Sequence, residues 1–454
     1  MRAMRHALGV VILVLPSFCQ TAAEYAAVEQ TAREEIAKLN VPGASIALVR
    51  GEEVIFAKGV GVANVETGEA VRPEMLFRLG STTKMLTAAA LVGLAVEGKV
   101  DLNAPVGRYL TGLPPKLSQV TANQLLSHTA GIRDEAPMYG SHDDAALGNG
   151  IRAWTDAWLF TDPGRIFSYS NPGFWMAGYL VEVVSGKPYA DAMEARVFQP
   201  LAMARTTLRP TVAMTWPLAQ GHEAAGAAKC VVARPAADNA ASWPAGSVFS
   251  NTADLARFAI AFLNGGRVGG KAVLDPKTIA LMSAPHAAYP DSKESYGYGL
   301  TLMEFRGVKV LAHGGSRMGY GSYLMMAPAQ RVAVIVQTNR TGMSLPATVE
   351  KAMEVLTTLG PKAAMRAPES MAVTAEDLSR HTGVYRNGGE RLEILARENR
   401  LYLKRGGMVE VPLVKHSATR YALESGGPEY VVVAGADGKT QYLHSGSRSF
   451  ARVE

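Results

Sequence analysis

Phe77-Arg78-Leu79-Gly80-Ser81-Thr82-Thr83-Lys84-Met85-Leu86-Thr87 is the stretch on which the reading of the whole chain turns. Behind Lys84, the residues Met85, Leu86, Ala88, Ala89, Ala90, Leu91, Leu94 and Ala95 are strong helix formers with apolar side chains three and four apart. That spacing predicts a helix, and Gly98 stands where it would stop. Ser81 therefore falls at or near a helix N-terminus, where the dipole favours an oxyanion over a neutral hydroxyl. Lys84, three residues on, shares its face of the first turn. A lysine so placed, once desolvated, loses its proton and accepts one from the serine. Taken alone the tetrad is weak evidence, because an N-cap serine followed by a solvated lysine has the same spacing. Its weight depends on its companions.

The chain has 454 residues, 48% hydrophobic and 19% charged, an ordinary globular balance with room for two or three domains. The net charge of +6 comes from scattered lysines and arginines with no run of five, so no nucleic-acid or membrane-surface patch is read. Residues 1–23 read as a cleaved secretory leader. Arg2, Arg5 and His6 precede an apolar run at 7–15, too short to span a bilayer, and small residues Thr21-Ala22-Ala23 follow. A periplasmic or secreted protein is expected, without a membrane span in the mature chain. Cys19 would leave with the leader, so Cys230 is expected to be an unpaired, inert thiol.

The order of elements predicts a mixed architecture. Apolar residues at helical spacing over 25–39 lead to a strand pair at 44–49 and 54–62. The Ser81 helix and a loop-rich helical stretch follow, including a capping box at Thr121–Gln124. His128, closing that short helix, reads as a structural hydrogen-bonder rather than a catalyst. The dense turn Phe167-Ser168-Tyr169-Ser170-Asn171-Pro172-Gly173 puts polar side chains on a loop before an apolar helix at 174–184. Strands are predicted at 300–305, 308–312, 321–326 and 331–338, with His313-Gly314-Gly315-Ser316 as the connection between the second and third, and a helix at 349–359. Residues 361–375 read as a linker. Beyond 376, short strands at 391–395, 400–404, 409–414, 421–423, 430–433 and 439–442, punctuated by glycine pairs, predict a small β-domain, sandwich or barrel.

Three motifs stand in one order: Ser81-x-x-Lys84, Tyr169-x-Asn171 and His313-Gly314-Gly315. Together with Phe77-Arg78-Leu79-Gly80, Leu125-Leu126-Ser127-His128-Thr129-Ala130-Gly131-Ile132 and Trp243-Pro244-Ala245-Gly246, they resemble the serine β-lactamase and penicillin-binding-protein superfamily. The likeness is to its class C-like branch of esterases, D-aminopeptidases and DD-carboxypeptidases, and covers about residues 26–359. Residues 376–454 resemble, more weakly, an appended lipocalin-like domain. The resemblance implies an α+β hydrolase domain over 24–360: an antiparallel sheet with flanking helices plus an all-helical part, with the site between them.

It implies Ser81 as nucleophile, Lys84 as base and Tyr169 as proton shuttle paired with Lys84. Asn171, His313, Gly315 and Ser316 would contact the substrate or orient the base, with the Ser81 and Ser316 amides as oxyanion hole. No cofactor or metal is implied. The third motif departs from the family's usual Lys-Thr-Gly, which removes a cation and a hydroxyl that would meet a substrate carboxylate. Small esters or amides are therefore expected ahead of β-lactams, although Arg317 would restore a cation one residue past Ser316. A D-aminopeptidase or DD-carboxypeptidase remains open, as does a ligand-binding protein on an inactive scaffold. An α/β-hydrolase is excluded by the lack of Gly-x-Ser-x-Gly, and a zinc hydrolase lacks the second histidine after His222-Glu223.

Overall fold

The computed structural model describes residues 22–226, 229–362 and 369–453. The leader up to residue 21, Cys19 and the middle of the 361–375 segment lie outside the described residues.

The helix read at 25–39 forms at Ala22–Lys38 and buries Val28, Ala32 and Ile36. These meet Val349, Ala352 and Met353 of the helix Pro346–Leu356, and the pair covers one face of an eight-stranded sheet. The strands run in the order Glu53–Gly61, Gly43–Arg50, Val332–Thr338, Tyr320–Ala327, Val308–Arg317, Thr301–Phe305, Ser295–Tyr296 and Ala287–Ala288, all antiparallel. On the opposite face, Ala47, Val49, Leu324 and Ile335 join the core built on the helices Thr83–Val96, Asn171–Ser185 and Thr252–Leu263. Cover on both faces is why Gly43–Arg50 and Val332–Thr338 read as continuous apolar runs rather than as an alternation. No described helix is long and apolar enough to cross a membrane.

One expectation is corrected here. His313-Gly314-Gly315-Ser316 is not a connection between strands, because the strand Val308–Arg317 runs straight through it, pairing His313 with Leu324 and Ser316 with Gly321. The glycines serve close approach rather than a turn. A Cβ on Gly315 would lie 1.8 Å from the carbonyl oxygen of Leu79, so only glycine lets this strand press against the Ser81 turn.

The C-terminal region is a closed barrel of eight antiparallel strands. Six correspond to the runs read from sequence. The other two, Gly383–Asn387 and Arg448–Arg452, close the barrel by pairing with each other; neither shows an alternating pattern, since buried residues are adjacent in both, Val384 with Tyr385 and Ser449 with Phe450. The interior is filled by side chains such as Tyr385, Leu401, Tyr421 and Leu443. The helix Ala375–His381, capped by Thr374, closes one end and lays Asp377 against Lys415, Nζ to Oδ2 at 2.6 Å, both side chains nearly out of water. Breaking such a pair leaves an uncompensated buried charge, worth about 3–5 kcal/mol. Lys415→Ala is therefore expected to destabilise the barrel by about that amount, read as a lowered denaturant midpoint at unchanged slope. An unmoved midpoint would show that the pair carries no such charge.

Candidate active site

Gly80–Thr82 form a 3₁₀ turn that feeds the helix Thr83–Val96, so Ser81 sits just outside the helix and Lys84 in its first turn. The preceding residues are held from below. Phe77 and Arg78 pair with Phe249–Ser250, Leu79 N–H donates to the Val248 carbonyl at 2.9 Å, and the buried Arg78 guanidinium meets Asp238 at 2.9 Å. From above, the strand Val308–Arg317 brings Ser316 alongside. Gly80 has a positive φ of 53°, and a Cβ there would stand 2.5 Å from the Ser316 nitrogen. The Ser81 turn and the Ser316 backbone are thus pressed together at the edge of a cleft of about 720 Å³ lined by Ser81, Tyr169, Asn171, Ser316, Arg317 and Arg448 among others. A larger cavity of about 1010 Å³ lies against the outer strand Thr301–Phe305; its lining is mostly apolar and none of the motif residues reaches it.

Lys84 is fully buried. Its Nζ lies 2.7 Å from Asn171 Oδ1, 2.7 Å from the Ala245 carbonyl oxygen and 3.2 Å from Ser81 Oγ. Loss of hydration holds its pKa well below the lysine range. Asp134 opposes that shift, while Arg448 and Arg317 add to it. A neutral amine has two hydrogens and one lone pair. The two short contacts take the hydrogens, and the lone pair is left for the Ser81 hydroxyl. The amide of Asn171 is fixed in turn: its Nδ2 donates to Asp134 Oδ1 at 3.0 Å, and since a carboxylate only accepts, Oδ1 is the atom presented to Lys84. Asp134 Oδ1 also accepts from the Asn171 backbone N–H at 2.7 Å.

Tyr169 is half-buried beside this pair, with its hydroxyl oxygen shielded from solvent. Its hydroxyl has no well-formed hydrogen bond, and Ser81 is the hydrogen-bonding group that acts on it. Burial pushes its pKa far up, so it is a neutral phenol, a proton donor rather than a base. The expected pairing with Lys84 is not made through a hydrogen bond: Nζ stands 4.7 Å from the ring centroid and directs its bonds to Asn171, Ala245 and Ser81. His128 does what the sequence suggested. Its Nδ1 accepts from the Ser170 N–H at 3.1 Å, ordering the loop that carries Tyr169, whose ring lies 4.2 Å away.

The third motif divides. Gly315 and Ser316 shape the seat described above, but His313 does not line the cleft. Its Nδ1 lies 2.6 Å from the Gly314 carbonyl, which only accepts, so Nδ1 carries the proton and Nε2 accepts from the Tyr296 hydroxyl at 2.9 Å. Burial pushes its pKa down to about 3, so the ring is neutral and has no hydrogen left to offer a substrate. A cation stands one residue further on, with part of its guanidinium shut off from solvent. Arg317 lines the cleft, with Nη1 3.4 Å from Ser242 Oγ and with Nε and Nη2 buried without a partner among the described residues. Burial and the nearby Arg78 push its pKa down to about 10, which leaves it charged at neutral pH.

Sequence reasoning missed Asp134, the Ala245 carbonyl and Arg448. Ala245 lies in a phrase that carries the family likeness without pointing to a role. Asp134 and Arg448 carry no local signal, since their contact spans 314 residues.

A model of the family described as Beta-lactamase matches residues 28–357. The chain belongs to the beta-lactamase family. Its members are serine hydrolases, and so is this chain. It is 30% identical over 367 residues to penicillin-binding protein 4 of Amycolatopsis lactamdurans, a match covering 77% of this chain and 94% of that protein. Among solved structures it is similar to SurE, at 25% identity and TM-score 0.78 over 95% of this chain and 99% of that one, so the barrel is included in the likeness. The D-amino acid amidase of Ochrobactrum anthropi aligns at 25% identity and TM-score 0.62, over 74% of this chain and 98% of its own.

The seat of the Ser316 strand gives a direct test. Gly315→Ala would drive its methyl into the Leu79 carbonyl and lift the strand from the Ser81 turn. The expected result is a loss of about 10²-fold or more in kcat, the scale of losing one oxyanion donor, with the circular dichroism of the fold retained. Near-normal kcat would show that this contact does not set the geometry.

Proposed function

We propose that this protein is an exported hydrolase that cleaves small esters or amides through an acyl-enzyme on Ser81. The observation that carries the reading is the arrangement at Lys84, where two acceptors at 2.7 Å occupy the hydrogens of a desolvated amine and its lone pair is left facing Ser81 Oγ.

In this mechanism Ser81 Oγ attacks the carbonyl carbon as its proton passes to Lys84 Nζ. The tetrahedral oxyanion is held by the Ser81 and Ser316 amides. As it collapses, the leaving oxygen or nitrogen takes a proton from the Tyr169 hydroxyl, which is refilled from Lys84. Water then repeats the sequence on the acyl-enzyme, with Lys84 as the base and Ser81 as the leaving group. Amides of amino acids are a second reading, favoured by the likeness to the D-amino acid amidase and by a cleft large enough for an amino-acid side chain. Export rests on the order of basic, apolar and small residues over 1–23.

A fluorophosphonate probe is expected to label the protein, and Ser81→Ala to abolish both labelling and ester turnover. Labelling that survives in that variant would point to another nucleophile, and no labelling of the unmodified protein would favour an inactive scaffold. Substrate choice follows from the third motif. His313 is neutral and turned to Tyr296, and the free edge of Arg317 is closed off from solvent. A β-lactam carboxylate would thus miss charge-assisted hydrogen bonds worth about 1.5–3 kcal/mol. p-Nitrophenyl butyrate is expected to exceed nitrocefin in kcat/KM by about 10²-fold. Parity between the two would refute the carboxylate argument.

A further inference from the structure

The strands Thr440–Ser445 and Arg448–Arg452 of the barrel are joined by Gly446 and Ser447, and Arg448, just past this turn, lines the hydrolase cleft. The Ser447 carbonyl accepts from the Tyr169 N–H at 2.8 Å. Ser449 N–H donates to Ser168 Oγ at 3.1 Å and Ser449 Oγ to the Phe167 carbonyl at 2.8 Å. Asn387, from the neighbouring strand, donates to the Ser449 carbonyl and accepts from the Asp134 N–H at 3.2 Å. Apart from the bond between Asn387 and Ser449 within the barrel, each of these holds the loop before Asn171 or the segment at Asp134. The barrel's interior is packed with its own side chains, so its contribution lies at this rim.

Arg448 completes the connection. Its Nε donates to Asp134 Oδ2 at 2.7 Å, Nη2 reaches the same oxygen, and its guanidinium stands 5.8 Å from the Tyr169 ring centroid. Asp134 holds Asn171 through Oδ1, and Asn171 holds Lys84. We propose that the C-terminal barrel is a working part of the active site: Arg448 is a positioning residue that neutralises and fixes Asp134, and through Asn171 keeps Lys84 in its reactive arrangement. This rests on the Ser81–Lys84 reading above.

The charges around Lys84 give the proposal a sign. Ser81, Tyr169, Asn171 and the Ala245 carbonyl face it as neutral groups, and His128 and His313 are neutral rings held by burial. The full charges are Asp134 from the loop after residue 132, Arg317 from the sheet and Arg448 from the barrel. Asp134 favours the ammonium form, and the two arginines oppose it. Without Arg448 the Asp134 carboxylate is unbalanced, Lys84 keeps its proton to higher pH, and the base is lost over a wider acid range.

The experiment is the pH dependence of kcat/KM on p-nitrophenyl butyrate, a neutral ester that offers Arg448 no carboxylate, for the full chain and its Arg448→Gln, Arg448→Lys and Arg448→Gln/Asp134→Asn variants. Arg448→Gln is expected to move the acid limb up by about one pH unit. Arg448→Lys, which keeps the charge, is expected to restore it in large part. The double variant is expected to return the limb toward its original position, because the amide that replaces the Asp134 carboxylate still accepts from Asn171 but carries no charge. An acid limb that stays put in Arg448→Gln, or that fails to return in the double variant, overturns the proposal even if kcat falls. Absence of Ser81 labelling in the unmodified protein would instead overturn the reading on which the proposal rests.

Discussion

Lys84 Nζ is taken out of water and given two acceptors at 2.7 Å before it meets Ser81 at 3.2 Å. That constraint organises the site. An ammonium ion in such a place would lose its hydration, and the attraction of Asp134 is opposed by Arg317 and Arg448, so the uncharged amine is the stable form, and an uncharged amine is what a serine needs as a base. The neighbours are arranged to suit. Asn171 is oriented by a carboxylate so that its oxygen, not its nitrogen, faces the amine, and the carboxylate is itself held by an arginine. The phenol of Tyr169 is kept neutral by burial and left without a fixed hydrogen bond, which leaves it free to exchange a proton.

The second constraint is steric. Ser81 and Ser316 belong to a turn and a strand far apart in sequence, and the two approach so closely only because Gly80 and Gly315 have no Cβ at the contact. Below them, Arg78 and Asp238 form a buried pair that ties the turn to the Trp243–Gly246 helix, from which Ala245 offers its carbonyl to Lys84. Sheet, helical part and barrel each contribute one wall, so the cleft exists only in the assembled chain.

Much of this is legible in the sequence because its signals are local. Helical spacing behind Ser81, the capping box at Thr121 and the paired apolar runs of the sheet all depend on neighbours a few residues apart, and each forms within a few residues of its reading. The serine, lysine, tyrosine and asparagine of the motifs do meet at one cleft. What is not legible depends on distant partners. His313 reads as a substrate group because its hydrogen-bonding partner, Tyr296, comes from another strand. The glycines after it read as a turn because their close contact, Leu79, lies far away in sequence. Arg448 sits in a strand whose polar residues conceal it, and its partner is Asp134.

The charge state of Lys84 in the folded protein is the point on which the account stands. The pH dependence of the rate at which a fluorophosphonate labels Ser81 reports it directly, with no leaving-group step to confuse the reading. The account predicts a rate that levels off well below the ordinary lysine value of about 10.4, because the amine is already neutral. A rate that keeps rising about tenfold per pH unit until that range would mean that Lys84 is an ordinary ammonium ion, and would contradict it.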